Sequence, residues 1–508
     1  LIVGAKAIGS TVCPDWLMKR PVDLPTCPQG GLVPENYPVA AVVLSDVNGG
    51  SFLDSRFTAD VVERILIAAD VERIPLLILP VSNLTFEAVK ARIDQFPIDS
   101  RVKQKYKAAL LQLPVRGYVW QQDYMQSFVD PKSGQIILRE VENYRRHGQS
   151  FGKLVEATNA CGFQEGPKLQ TTGADFLTGY SAGNIETLPE GICLLGDDHF
   201  STKQRWEDYA NQFCIGGADN RIQVPTSWLY IGHTDEIMKV VPNNKAKAPC
   251  NFSVVLASPK KAIELLKEKP KDKFMDFSFG RGGTPIELAN KRGNSSGIQS
   301  FCREIKNQGL DFQPKYKKNN DSESPSGMTK LLNFQSLLIG KAIAKESSLG
   351  GDFQEAKDCV SITNGEVYDV LTSGGALGIY NQMVQKKMDA LKLEVHTKLK
   401  RKLPQCTPDF LEVPNVFFGA RPIKKENGQY ELPTAKGLSV LPNPTNGIAI
   451  NNTIISPDPS SSVFRNYLQE QYRQRGLKSE FVDTFDYAHQ FKGNLHCATN
   501  TIHICNPL

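Results

Sequence analysis

Residues 253–260, Ser-Val-Val-Leu-Ala-Ser-Pro-Lys, place a short strand directly before a helix. The strand is predicted over 253–257, because valine and leucine suit an extended, buried segment. Ser258 is of a type that caps helix N-termini, and Pro259 suits the first helical position, so a helix is predicted to run to Lys267. A strand joined to a helix in this way is typical of α/β proteins.

Short apolar runs and helical patterns alternate along most of the chain from Val39 onward. Further strands are predicted at 40–44, 74–81, 135–139, 192–195, 413–418 and 447–455, and helical segments at 59–70 and over most of 85–113. Strands interleaved with helices predict an α/β fold.

The clearest helix starts near Asn381 and is expected to stop at Pro404. Its apolar residues recur at steps of four, three, four and four: Val384, Met388, Leu391, Val395 and Leu399. This spacing gives one buried helix face, so Met388 is interpreted as core packing rather than as part of a cofactor site.

Composition suggests a main domain with two less regular parts. Residues 1–58 are predicted to form an N-terminal arm or small cap, since 1–35 are rich in Pro, Gly and Cys. Residues 59–508 are predicted to form the main domain, and 270–375 an insertion within it, because that stretch contains polar, loop-like segments.

Charge and cysteine content narrow the class of protein. The net charge of +5 over 508 residues is too small to indicate nucleic-acid binding. The sequence contains no run of 18 apolar residues, so no membrane span is predicted. The chain has eleven cysteines, an odd number, without the spacing of a zinc site. One free thiol and five disulfides would fit an exported, periplasmic or extracellular protein; a reduced cytoplasmic protein is the alternative.

Four residues have the chemistry needed to hydrolyse a guanidinium group. Two carboxylates, at Asp123 and Asp235, could pair with the N–H groups of the planar cation. Cys497 could attack its carbon, and His233 could protonate the departing ammonia and then activate water. His233 and Asp235 are predicted to lie on a strand, where residues two apart share a face.

Each of these residues also has a plainer interpretation. Asp123 could be a surface residue and His233 an ordinary core or surface histidine. Cys497 could be disulfide-bonded, with Cys505 as the obvious partner. On spacing alone, a papain-like Cys/His protease remains an alternative to a guanidine hydrolase.

The ordered series of motifs around these residues resembles the protein-arginine deiminases of the pentein (guanidine-modifying) superfamily. The motifs are 120–125 (WQQDYM), 183–186 (GNIE), 227–236 (SWLYIGHTDE), 441–446 (LPNPTN) and 493–500 (GNLHCATN). The resemblance covers about 60–270 and 380–503. It implies the pentein fold, a five-bladed α/β-propeller with pseudo-fivefold symmetry.

The implied activity is hydrolysis of peptidyl-arginine to peptidyl-citrulline and ammonia through a covalent Cys497 thiouronium. In this family pattern Asp123 and Asp235 hold the guanidinium, and His233 is the proton donor and then the base. The implied partners are arginine-containing proteins or peptides.

The resemblance also implies substrate-binding residues. Trp120 would flank the arginine stem, and Asn446 belongs to the substrate-binding set. Arg145 or Arg146 would grip the substrate backbone, although His147 stands where the family pattern has an arginine.

A calcium requirement is less expected here than in the animal relatives, whose catalytic domain is ordered by calcium. Gln122, Gln126 and Glu186 match one calcium site, with a single carboxylate where the family has two, and so suggest a vestigial site. At a second site Tyr124 replaces an acid, and Arg146 could supply a positive charge in place of the ion. We therefore expect activity without a cofactor; dependence on Ca2+ is the alternative.

Two other functions fit the same resemblance. One is a deiminase of free arginine or agmatine. The other is a non-catalytic interaction protein on a pentein scaffold, which the presence of Asp123, His233, Asp235 and Cys497 disfavours.

Overall fold

The computed structural model describes residues 24–28, 30–45, 55–68, 76–79, 83–95, 98–108, 110–112, 122, 125–130, 132–140, 164–166, 182–197, 202–272, 274, 363–419, 422–434, 437–484 and 493–506. Most of the predicted insertion at 270–375 lies outside these residues. Within them, no helix combines the length and apolarity needed to cross a bilayer.

Helices and strands alternate along the described residues, as expected for an α/β protein. The helices are α1 (Ser55–Ala68), α2 (Asn83–Asp94), α3 (Ser100–Ala108), α4 (Lys203–Phe213), α5 (Pro259–Glu268), α6 (Asn364–Thr372), α7 (Ala376–Lys402), α8 (Ser462–Gln474) and α9 (Leu495–Ala498). The strands are β1 (Gly31–Leu32), β2 (Val39–Ser45), β3 (Leu76–Leu79), β4 (Leu110–Gln112), β5 (Met125–Val129), β6 (Ile136–Glu140), β7 (Gln164–Glu165), β8 (Ile185–Leu188), β9 (Ile192–Gly196), β10 (Arg221–Val224), β11 (Met238–Pro242), β12 (Phe252–Ser258), β13 (Asp409–Pro414), β14 (Phe417–Phe418), β15 (Ile423–Lys424), β16 (Tyr430–Glu431), β17 (Leu438–Ser439), β18 (Ile448–Ile450), β19 (Thr453–Pro457), β20 (Lys478–Val482) and β21 (Thr499–His503).

Five small sheets share one strand arrangement. They are β21-β2-β3-β4, β1-β5-β6-β7, β8-β9-β10, β11-β12-β13 and β18-β19-β20. Each contains an antiparallel pair whose second strand also pairs in parallel with the next strand along the chain. In four of the sheets helical residues connect the two parallel strands, as a parallel crossover requires. The connection between β6 and β7 lies outside the described residues.

Residues 39–44 and 499–503, far apart in sequence, meet in one of these sheets. β2 pairs antiparallel with β21 over Val39–Leu44, and a disulfide joins Cys27 to Cys505. Within the segment 1–58, predicted as an arm or small cap, residues 30–45 contribute β1 and β2, which each pair inside a sheet.

The strand and helix predicted around residues 253–267 are confirmed by β12 and α5. Every residue of β12 is buried, and the Ser258 side chain accepts a hydrogen bond from the N–H of Lys261, which caps the helix. The apolar stripe of α7 is confirmed as well, with all five residues at most 2% exposed. α7 begins at Ala376, earlier than predicted, after Gly375 in extended backbone.

The segment 85–113 is mostly helical, as predicted, but it ends in a strand. It contains α2, α3 and then the strand β4, which pairs in parallel with β3 through Leu110 and Leu111. Pairing with β3 overrides the helical preference of this short stretch. Asp99 lies between the two helices. Its side-chain carboxylate accepts a hydrogen bond from the N–H of Arg101 at 2.7 Å and so caps the start of α3.

We predict that removing the disulfide between the chain ends weakens the fold. Replacing Cys27 and Cys505 by serine should lower the free energy of unfolding by about 2–5 kcal/mol, because the bridge restricts a very long loop of the unfolded chain. Denaturant unfolding would measure the change.

The matched control replaces Cys193 and Cys214, whose bridge spans a sequence separation of only 21 instead of 478. The control should lose less stability, because closing a shorter loop costs the unfolded chain less entropy. If the Cys27/Cys505 variant loses no more free energy of unfolding than the control, the longer loop does not make its bridge the more stabilising one, and the prediction is contradicted.

Candidate active site

Three separate segments meet around Cys497. They are the turn at 232–236, the turn at 443–446 and the short helix α9. The side-chain amide of Asn446 donates to the Cys497 sulfur at 3.2 Å, and its oxygen accepts from the Cys497 N–H at 3.2 Å. These two contacts fix the sulfur against a turn that lies 51 positions away in sequence.

Cys497 is buried and is not disulfide-bonded. The alternative in which it bonds to Cys505 is excluded, because Cys505 bonds to Cys27. The sulfur lies 3.5 Å from the Asp235 carboxylate oxygen Oδ2. Thiol and carboxylate predicted from distant parts of the sequence are therefore in contact.

Asp235 is fully buried, yet only one of its two oxygens is bonded. Oδ2 contacts His496 Nδ1 at 2.7 Å as well as the Cys497 sulfur. Oδ1 has no hydrogen-bond partner among the described residues. A buried carboxylate oxygen without a partner is costly, so this oxygen has unused capacity for a cationic donor.

His233 is buried at the start of a 3-10 turn, Thr234–Glu236, rather than on a strand. The predicted strand geometry for His233 and Asp235 is therefore wrong. The reason is local: Gly232 adopts a left-handed backbone (φ 84°), and the Glu236 carboxylate accepts from the N–H groups of Gly232 and His233 at 3.1 Å.

Hydrogen bonds link the five sheets in a closed sequence of neighbours. Each bond joins two sheets, and each bonded residue lies in the first strand of its sheet's antiparallel pair or at most four positions before it. The bonds are Asn500 Nδ2 to Met125 O (2.8 Å), Gln126 Nε2 to Ala182 O (3.2 Å), Thr234 Oγ1 to Asn184 O (2.9 Å), Asn446 Nδ2 to Asp235 O (3.4 Å) and His496 N to Asn446 O (3.0 Å). The starts of all five sheets therefore lie around one region, which contains Cys497.

A buried ion pair beside this site was missed from the sequence. Lys239 Nζ lies 3.0 Å from Glu35 Oε2, with the side chains 5% and 9% exposed. Glu35 Oε1 in turn lies 4.0 Å from His496 Nε2. The available signal was a lysine inside the apolar strand β11; its partner, 204 positions earlier, was not recognisable by pattern.

Burial and charge act in opposite directions on this pair. Burial alone raises the pKa of Glu35, but attraction to Lys239 and His496 lowers it to about 2. Burial lowers the pKa of Lys239, and Glu35 and Glu186 raise it by more. Burial, together with repulsion from Glu35, raises the pKa of Glu186 well above its usual value. Lys239 and Glu35 are therefore both ionised.

The remaining predicted site residues divide into two groups. Gln122, Gln126 and Glu186 are described: Gln122 and Glu186 are buried, and Gln126 bonds to the Ala182 carbonyl. The others, Trp120, Asp123, Arg145 and Arg146, lie outside the described residues.

The sequence matches the model of the Protein-arginine deiminase (PAD) family over residues 177–310 and 343–506. These stretches make up more than half of the chain and include His233, Asp235 and Cys497. Asp123 lies before the matched residues. A direct sequence comparison with curated proteins gives no match.

Several solved structures are similar at low identity. They include an agmatine deiminase of C. jejuni (12% identical, TM-score 0.44, 94% of this chain and 96% of that chain covered), a candidate peptidyl-arginine deiminase (11%, 0.43, 94% and 99%) and a candidate arginine deiminase from Porphyromonas gingivalis (14%, 0.42, 93% and 98%). At these values the likeness does not assign a substrate.

We predict that the Asn446 side chain positions the reactive sulfur. In Asn446→Asp the shape is kept, but an anion would replace the amide that donates to sulfur. Alkylation of Cys497 by iodoacetamide at neutral pH should slow by about 10²-fold, the usual cost of losing one donor to a developing anion. Peptide mapping of Cys497 would measure the rate.

The control is Asn427→Asp, in an exposed turn where Asn427 accepts from the N–H of Gln429. An aspartate accepts the same bond, so the alkylation rate should not change. If both variants react like the unaltered protein, the Asn446 contact has no part in sulfur reactivity.

Proposed function

Since the chain belongs to the protein-arginine deiminase family, we propose that it hydrolyses peptidyl-arginine to peptidyl-citrulline and ammonia. The observation that carries the proposal is the buried Asp235 carboxylate beside the Cys497 thiol, with no hydrogen-bond partner for Oδ1 within the described residues. A guanidinium is flat, cationic and rich in N–H donors, so it complements this oxygen.

In the proposed reaction the Cys497 sulfur attacks the guanidinium carbon. A C–S bond forms, and one C–N bond breaks as ammonia leaves with a proton from His233. Water then attacks the resulting thiouronium carbon, gives a proton to His233 and displaces the sulfur. The products are citrulline and ammonia, and the cysteine is regenerated.

Asp235 would act before the chemistry. Its negative charge beside the sulfur opposes formation of a thiolate until a cation enters the site. A bound guanidinium supplies that cation, so substrate binding and activation of the nucleophile are coupled. Asn446 would hold the sulfur toward the carbon by the contacts described above.

Asp123 is proposed as the second carboxylate that holds the guanidinium. It stands two positions before β5, as Cys497 stands two positions before β21 and Asn446 two before β18. Trp120 and either Arg145 or Arg146 are proposed to contact the arginine stem and the substrate backbone.

We propose that the five sheets form the blades of a pentein propeller. The shared strand arrangement supports this, as does the closed sequence of hydrogen bonds between neighbouring sheets. A crystal structure with five blades around one axis is expected; an open arrangement would overturn the proposal.

An exported location is also proposed. Three disulfides occur among the described residues, and such bonds persist in oxidising compartments. Protein isolated from its natural source should yield the linked Cys27–Cys505 peptide under non-reducing digestion. Recovery of both cysteines as thiols would favour the cytoplasm.

Substrate choice can be measured directly. We expect mass spectrometry to show conversion of an N-acylated, C-amidated arginine to citrulline, with a higher kcat/KM than for free arginine or agmatine. Preference for either free compound would replace the proposal by a small-molecule deiminase.

The role of the thiol is tested by Cys497→Ala. Citrulline formation should fall by a factor of about 10⁴ or more, because the bond-forming atom is removed. Asp219→Asn is a suitable control, since Asp219 is exposed and forms a surface ion pair with Arg401. Unchanged activity in Cys497→Ala would instead favour a different nucleophile, and no citrulline formation by the unaltered protein would favour a non-catalytic protein.

A further inference from the structure

The pocket behind Asp235 has the donor spacing of a metal site but not the charge of one. Ligand atoms of Glu35, Glu186 and His496 all lie within 4.8 Å of one another. In the same pocket the Lys239 ammonium is 3.0 Å from Glu35. A fixed positive charge at that distance repels a second cation, so the charge of the pocket is already balanced.

The residues that match the family's calcium site do not fit calcium either. Calcium takes six to eight oxygens, several of them from carboxylates. Here Glu186 supplies the one carboxylate, and the Gln126 amide bonds to the Ala182 carbonyl as a link between two sheets. Gln122 Oε1 is buried without a hydrogen-bond partner among the described residues, but it carries no charge that would attract calcium.

We propose that the Lys239 ammonium is a built-in cation that takes the place of a metal ion in this pocket. It neutralises Glu35, which faces His496, and His496 binds Asp235 Oδ2 at 2.7 Å. Lys239 is therefore a positioning residue: it acts on the Cys497 site through Glu35 and His496. It differs from Arg146, the substitute cation expected from the sequence, which lies outside the described residues.

The ion pair also explains the path of the chain near its start. Glu35 lies between β1 and β2, and Lys239 lies in β11, in another sheet. A buried ion pair is tolerated when both partners are held in place, and loss of either one leaves an unpaired buried charge. The pair thus links Glu35, which precedes β2, to β11, the strand that follows Asp235 in the chain.

The test compares the unaltered protein with Lys239→Met and with the double variant Glu35→Gln/Lys239→Met. EGTA and added Ca2+ should leave both the melting temperature and citrulline formation of the unaltered protein unchanged. Elemental analysis of the purified protein should find no stoichiometric metal.

Lys239→Met should melt lower by about 5 °C or more, because it leaves Glu35 unpaired. The double variant has no unpaired charge and should regain at least about half of that loss. Lys203→Met, at an exposed surface pair with Glu207, is the matched control and should melt like the unaltered protein.

Activity provides a second measurement, which rests on the proposed function. Lys239→Met should form citrulline at least about tenfold more slowly, because the series of contacts from Lys239 through Glu35 and His496 to Asp235 is broken. Melting and metal content do not depend on the substrate, so they test Lys239 even if the enzyme acts on another guanidine.

Three results would overturn the proposal. One is loss of melting temperature in EGTA that Ca2+ restores; another is a bound metal in the purified protein. The third is a double variant no more stable than Lys239→Met, which would show that Lys239 acts by packing rather than by charge.

Discussion

The arrangement of the site depends on how a fully buried carboxylate is accommodated. Asp235 is fully buried, so an oxygen of its carboxylate that lacks a hydrogen-bond partner carries an energetic cost. His496 and Cys497 supply partners for Oδ2. The His496 ring is in turn placed between Asp235 and Glu35, which Lys239 neutralises. The charge at the reactive centre is thus supported by residues drawn from both ends and the middle of the chain.

The fold makes this convergence possible by repetition. Five sheets with one strand arrangement each present the start of an antiparallel strand to the same region. Short polar residues at those starts, such as Asn184 and Asn446, bond across to the next sheet. Because β2 and β21 belong to one sheet, residues 493–503 place Cys497 beside the sheet that contains β2. Function is concentrated in turns while the strands and helices supply the core.

Much of this could be predicted from local pattern. The stripe on α7 and the capped start of α5 follow from residue spacing and type, and both are present. The strand β4 was missed because pairing with β3 decides its conformation, and the turn at 234–236 was missed because Gly232 and Glu236 decide it. The Glu35–Lys239 pair could not be predicted, because nothing in a single sequence indicates that these two residues, 204 positions apart, are in contact. Pairwise contacts of that kind depend on the completed fold.

Binding of an arginine substrate tests the central claim, that Asp235 receives a guanidinium. The measurement is calorimetric titration of N-acylated, C-amidated arginine into Cys497→Ala and into Cys497→Ala/Asp235→Asn. Removing one partner of a buried charge pair costs about 2–5 kcal/mol, so Kd should weaken by about 30-fold or more in the second variant. The same peptide carrying citrulline should bind the two variants alike. Equal affinity of the arginine peptide for both variants would contradict the account.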